Sequence, residues 1–240
     1  MASRVNPVRS APTLIHAVAL VGHDVASTEL NIRKLMKGFP PQLYKLANQL
    51  VIAVLKGRSL AWARSQARKH TDLDQRRQAR LVLRRLTPLL RSLKPDWVRV
   101  LDVDPYQVGP KLQLPVKVHA LMKVEGRVEV LVLHLWQKPL GERPRRAAAT
   151  ILKDRLSQRE ELANAGLRWF DISIPDGEDE RGLREFSWSD IRLMDDEELQ
   201  EFVGMLREGW ELYQLNPVPP RPPRPRPSPD QRDLFPDGPG

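Results

Sequence analysis

The chain of 240 residues has no cysteine at all. That rules out disulfides, iron–sulfur clusters, thiolate zinc sites and a cysteine nucleophile, and it fits a reducing compartment. Long apolar runs are also missing: the longest, around Val128–Trp136, is far too short to cross a bilayer. The first twelve residues hold scattered arginine but no apolar stretch ahead of a small-residue cleavage site, so no secretory signal is expected. The expected location is therefore cytoplasmic. There is no Walker sequence, no Gly-x-Gly-x-x-Gly and no His-Glu-x-x-His, which removes P-loop, dinucleotide and zincin chemistry. Acids are scarce over a long stretch: residues 31–100 carry 17 Lys and Arg against Asp72, Asp74 and Asp96 alone.

What is present is a divided charge. Net charge is +9, yet residues 171–215 reverse the bias, with 14 acids against Arg181, Arg184, Arg192 and Arg207. Such a split predicts a basic face able to meet phosphates and an acidic region that is not. The clustering of the basic residues points to DNA or RNA contact, with a merely solubilising surface as the alternative. Apolar residues make up 41% of the chain, enough for a buried core.

Periodicity predicts an α+β fold in which N-terminal helices precede an α/β core. Residues 1–28 read as an arm with a short strand at Thr13–Leu20, and residues 29–73 as a basic helical region. Pro40-Pro41 separates its first two helices, and Gly57 ends the second. Residues 74–215 read as the core. Asp72 or Asp74 caps a long helix whose apolar stripe is Ala79, Val82, Leu83, Leu86, Leu89, Leu90 and Leu93; Pro88 is expected to kink or divide it. Strands follow at Trp97–Val103, Leu114–Val124 and Arg127–Lys138, with a hairpin turn at Glu125-Gly126. Then come a helix at Arg145–Ala165 stopped by Gly166, a fourth strand at Leu167–Ile174, and a last helix opened by Asp195 and Glu198 as a capping box. Trp62, Trp97, Trp169, Trp188 and Trp210 are expected in packing. Trp136 is the tryptophan expected to stack on nucleic acid.

From Asn216 onward ten prolines fall in the last 25 residues, and Leu234-Phe235 are the only large apolar side chains. This composition predicts a disordered, extended tail. Within it, Gln231-Arg232-Asp233-Leu234-Phe235 resembles the sliding-clamp-binding motif of bacterial DNA polymerases and repair proteins. The match is at Gln231, Asp233, Leu234 and Phe235; Arg232 stands where that motif usually has Leu. The resemblance implies docking on the clamp (the DNA polymerase III beta subunit), with Leu234 and Phe235 buried in a preformed pocket and Gln231 bonded at its rim.

Residues 74–174 run helix, three strands, helix, strand, an order that resembles the core of the PD-(D/E)XK nucleases. That family places an Asp on the second strand and Glu-x-Lys on the third, and uses Mg²⁺ or Mn²⁺ to activate water. Here the second-strand position falls on His119 and the third-strand pair on His134 and Trp136. Only Lys138, two residues late, stands for the family lysine. Pro95-Asp96 precedes the first strand, and Glu129 is followed by Val130-Leu131. The resemblance thus implies a degenerate core that binds DNA without cutting it, with His119, His134 and Lys138 as the remaining catalytic candidates and no cofactor. A pairing of His119 with His134 on a transition metal is the weaker alternative. Asp102 and Asp104 stand as rescuing acids or, more simply, as part of a turn.

The favoured expectation is a non-catalytic, nucleoid-associated accessory factor of DNA repair or replication. DNA would lie against Arg64, Arg68, Lys69, Arg76, Arg77, Arg80, Arg84, Arg85 and Lys138, and the clamp would hold the tail. The alternatives are a metal-dependent nuclease with migrated acids and a protein-only bridging factor using the acidic region.

Overall fold

The computed structural model describes residues 11–38, 43–101 and 103–218. The clamp-like segment 231–235 and Asp102 therefore lie outside the described residues. Helices α1 (Leu14–Val18), α2 (Val25–Gly38), α3 (Lys45–Leu55), α4 (Leu60–Lys69) and α5 (Leu73–Ser92) lead into β1 (Trp97–Arg99). A two-stranded ribbon follows, β2 (Tyr106–Gly109) and β3 (Leu112–Leu114), and then the hairpin β4 (Ala120–Val124) and β5 (Arg127–His134). The chain continues through α6 (Glu142–Ser157), β6 (Gly166–Asp171), β7 (Arg184–Phe186) and α7 (Asp196–Leu215). The fold class is mixed α and β. The main sheet has the order β1-β4-β5-β6-β7; only the β5–β6 pair is parallel, with α6 in the crossover between them.

The sheet divides two cores, and strand alternation assigns side chains to each. Val130 and Val132 of β5, with Leu167 and Trp169 of β6, face α1, α2, α6 and α7. Leu131 and Leu133 of β5, with Phe170, Ala120 and Met122, face α3, α4 and α5. Burial on both faces explains why Val130–Leu133 of β5 is an unbroken apolar run instead of an alternating one. The two edge strands, β1 and β7, are three residues each.

Local signals place several boundaries. Asp72 caps α5 by accepting from the Gln75 N–H at 3.0 Å. Asp195 and Glu198 form the capping box that opens α7. Gly57 has φ +95° after α3, and Glu125 and Gly126 turn with φ 50° and 80°, the left-handed pair that a two-residue hairpin requires.

Other expectations fail for identifiable reasons. Thr13–Leu20 contains a helix, not a strand: Leu14, Ala17 and Val18 recur at three and one, and all are buried. Residues 11–28 accordingly pack into the body. Pro88 does not divide α5, whose hydrogen-bonded span continues to Ser92. The Thr87 hydroxyl donates to the Leu83 carbonyl at 2.6 Å beside the missing N–H. Gly166 is not a helix stop. Helix α6 ends nine residues earlier, and Gly166 opens β6, where a Cβ would meet the Glu129 side chain at 3.3 Å. The ribbon β2–β3 and the edge strand β7 are too short to show a period in sequence. No helix among the described residues is long and apolar enough to cross a membrane.

Candidate nucleic-acid interface

Helix α5 carries apolar residues on one side and arginine on the other. Spacings of three, four and seven place Arg77, Arg80, Arg84 and Arg91 along a single exposed stripe. At 1.5 Å per residue the stripe is about 21 Å long. Arg77, Arg80 and Arg91 form no ion pair among the described residues. Arg68 and Lys69 are exposed in the last turn of the neighbouring α4.

Three of the other basic residues expected at this surface are tied to neighbouring groups, and the fourth lies elsewhere. Arg64 of α4 donates to the Thr87 hydroxyl of α5 at 3.0 Å. Arg76 leans back toward the Arg68 carbonyl at 3.4 Å, the far limit of a hydrogen bond. Arg85 is half-buried and donates to Glu180, whose carboxylate also lies 3.9 Å from Arg84. Lys138 is exposed beyond the end of β5, and its carbonyl receives His134 Nε2 at 3.0 Å. The sequence therefore groups side chains that the fold separates into a free stripe and a set of internal ties.

Each end of the stripe meets a depression. At the N-terminal half, Arg77, Arg84 and Arg85 share a depression of about 300 Å³ with Gln137, Asp179 and Glu180. At the C-terminal end, Arg91 opens into a cleft of about 560 Å³ between the α3–α4 turn and the α5–β1 turn. Lys56, Arg58, Lys94, Asp96 and Trp97 also line it. Two helices finish there, and their free carbonyls favour the cations around them. The guanidinium of Arg58 lies 5.6 Å from the Trp62 ring, and that of Arg99 lies 5.0 Å from the Trp97 ring. Trp97 is half-buried, within the expected packing, whereas Trp62 is 36% exposed, a surface aromatic. Trp169 and Trp210 are buried as expected.

The wall of the first depression is fixed by Arg181, which lies within an acidic stretch of sequence yet is 6% exposed. Its Nη1 donates to the carbonyls of Leu135 at 2.9 Å, Trp136 at 3.1 Å and Ile172 at 2.5 Å. Its Nη2 donates to Gln78 Oε1 at 2.9 Å and the Tyr44 hydroxyl at 3.1 Å. One guanidinium thus joins the ends of β5 and β6 to α3 and α5 without any carboxylate. Sequence reasoning misses it because every acceptor is neutral and all but the Ile172 carbonyl lie 45 or more residues away along the chain.

The catalytic candidates sit on the opposite face of the sheet. His119 precedes β4 and accepts the Leu133 N–H at 3.0 Å on Nδ1. His134 closes β5, and His16 reaches in from α1. Burial, then the neighbouring His134 and Lys117, push His16 down to about 4. Burial, with His16 and His134 nearby, pushes His119 down to about 4 as well. Burial also lowers His134, partly offset by its bond to the Lys138 carbonyl and by Asp171. All three imidazoles are therefore neutral at pH 7. The Trp136 ring stacks on His16 with centroids 4.5 Å apart, so one face is already occupied inside the protein.

The acids on the sheet are paired. Asp171, at the end of β6, is 2% exposed, receives Arg184 at 2.7 Å and accepts the Ser173 N–H at 3.0 Å. Glu129 holds Arg168 through two bonds of 2.6 and 3.0 Å. Asp104 is exposed and pairs with Arg159 at 3.3 Å. Among the described residues no group of three or more His, Asp or Glu converges as a metal site.

Fold and surface together define a mixed α/β protein with helices on both faces of its sheet and one cationic face. Comparison with family models, with curated proteins and with solved structures finds no match.

Proposed function

We propose that this chain is a DNA-binding accessory factor of DNA repair or replication that a bacterial sliding clamp recruits through Gln231, Asp233, Leu234 and Phe235. The observation that carries the DNA half is the exposed stripe Arg77, Arg80, Arg84 and Arg91, most of it without a carboxylate partner. Phosphates repeat along a strand every ~3.4 Å, so a stripe of ~21 Å spans about six of them. The clamp half rests on the motif alone: a Leu-Phe anchor preceded by proline-rich chain. Weak binding at each site multiplies when both partners are held together.

The test uses the whole chain. Replacing Arg77, Arg80 and Arg84 by Ala is expected to reduce duplex affinity roughly tenfold to a hundredfold and to lower the salt slope by about three. Replacing Leu234 and Phe235 by Ala is expected to abolish clamp binding while leaving duplex affinity unchanged. A duplex affinity indifferent to salt overturns the phosphate half of the proposal.

A second reading is a metal-dependent nuclease of the PD-(D/E)XK type. It is favoured by the order α5, β1, β4, β5, α6, β6, which the β2–β3 ribbon interrupts after β1, and by the β1-β4-β5-β6 arrangement. Against it stand Asp171 and Glu129, each committed to an arginine. Incubating the chain and labelled duplex, nicked and single-stranded DNA with Mg²⁺ or Mn²⁺ separates the readings: fragments support the nuclease, intact DNA the binding factor.

A further inference from the structure

We infer that the cleft at the C-terminal end of α5 receives an unpaired stretch of a DNA strand, its phosphates held by Lys56, Arg58 and Lys94 and a base set against Trp97. This inference rests on the DNA-binding reading and narrows it to junctions between duplex and single strand.

Four observations lead there. The cleft, about 560 Å³, lies in the range that takes a small organic ligand such as one or two nucleotides. Four cations line it, Lys56, Arg58, Arg91 and Lys94, against the single acid Asp96. All four are exposed, and none forms an ion pair among the described residues. Trp97 lies in the same wall, and the surface aromatic Trp62 stands beside Arg58. Cations interleaved with an aromatic plane suit a strand whose bases are free to stack; a duplex hides its base faces. Finally, Arg91 belongs both to this cleft and to the stripe on α5. A duplex lying along Arg77, Arg80 and Arg84 would thus point its end into the cleft, where an unpaired extension would enter.

Two other depressions among the described residues do not offer this. The one beside Arg84 and Arg85 brings its own carboxylates, Asp179 and Glu180, and the one beside Trp188 and Arg127 contains Glu129.

The experiment compares the full-length chain on a blunt duplex and on the same duplex with an unpaired extension on one strand. The expected result is at least about tenfold tighter binding of the extended substrate, the size of one base–aromatic stack. Trp97→Leu should remove that preference. Lys56→Ala with Lys94→Ala changes exposed side chains only; it should also remove the preference while blunt-duplex affinity stays as it was. Equal affinity of the wild-type chain for both substrates overturns the inference and leaves the DNA-binding reading standing. So does a preference that survives both variants. Failure to bind either substrate overturns the inference and the reading together.

Discussion

At the end of the sheet where β5 and β6 finish, several arginines already have acceptors within the protein, whereas at the end where β1 begins four cations face solvent around one acid. The first end holds the five bonds of Arg181, the Asp171–Arg184 pair and the contact of Glu180 with Arg85. The second holds Lys56, Arg58, Arg91 and Lys94 around Asp96 and Trp97. Helix α5 runs between them with the same kind of residue throughout. The difference teaches that a count of basic residues measures neither affinity nor stability until each one's partner is known. Arginine that is already satisfied holds the fold together; arginine that is not is available to a polyanion.

The contrast can be broken at several points, and the largest effect is expected at Arg181. Arg181→Ala leaves three carbonyls, a tyrosine hydroxyl and a glutamine amide without their donor in a buried place. We expect a stability loss of about 3 kcal/mol, read as a lower urea midpoint. A loss below about 1 kcal/mol would show that this end is not held by its polar network.

Acid should act at the same end, on the other face. His16 and His119 are held near 4 when folded, against about 6.5 when unfolded. Between those values the unfolded chain binds protons that the folded chain refuses, so stability is full above about pH 6.5 and falls as pH drops toward 4. The groups facing this cluster are Lys117, Asp171, Arg181 and Arg184. After a discount for the partial exposure of both rings, the loss is expected at roughly 3 kcal/mol across the window. Denaturant titrations at a series of pH values check it, and His119→Gln should flatten part of the slope.

Glu180→Gln sharpens the comparison without disturbing the fold. It frees Arg84 and Arg85 from their shared carboxylate and makes the matched end resemble the open one. Duplex affinity should rise about threefold at low salt, with little change at high salt. An unchanged affinity would mean that a duplex does not reach the N-terminal half of the stripe. The smallest effect is expected at the open end: Lys94→Ala should shift stability by no more than about 0.5 kcal/mol in a thermal melt.

Sequence reasoning recovers what is local. The caps at Asp72 and Asp195, the stop at Gly57 and the turn at Glu125-Gly126 are each settled within four residues of chain, and they fall where expected. The mixture of helix and sheet is legible because periods of 3.6 and 2 are local as well. The stripe on α5 is visible for the same reason. What escapes is anything decided between distant segments. Arg181 looks like one cation among acids, because its acceptors come from four other elements. Gly166 looks like a helix stop, because the need for a small residue comes from Glu129 across the sheet. Trp62 reads as a core or half-buried residue yet is exposed, since an aromatic at helical spacing does not announce which side of the protein it ends on. That one nitrogen of His119 meets the Leu133 N–H and one nitrogen of His134 meets the Lys138 carbonyl is likewise visible only in the folded chain.

The brevity of β1 and β7 constrains how this molecule can be approached. A border only three residues wide, occupied by Arg99 on one flank and by Arg184 and Glu185 on the other, offers an incoming peptide too few backbone groups to zip onto. Self-association by strand addition is discouraged on both flanks. Among the described residues, a partner of the main sheet's flanks is left to side chains on helices and turns, which makes that recognition open to change one residue at a time.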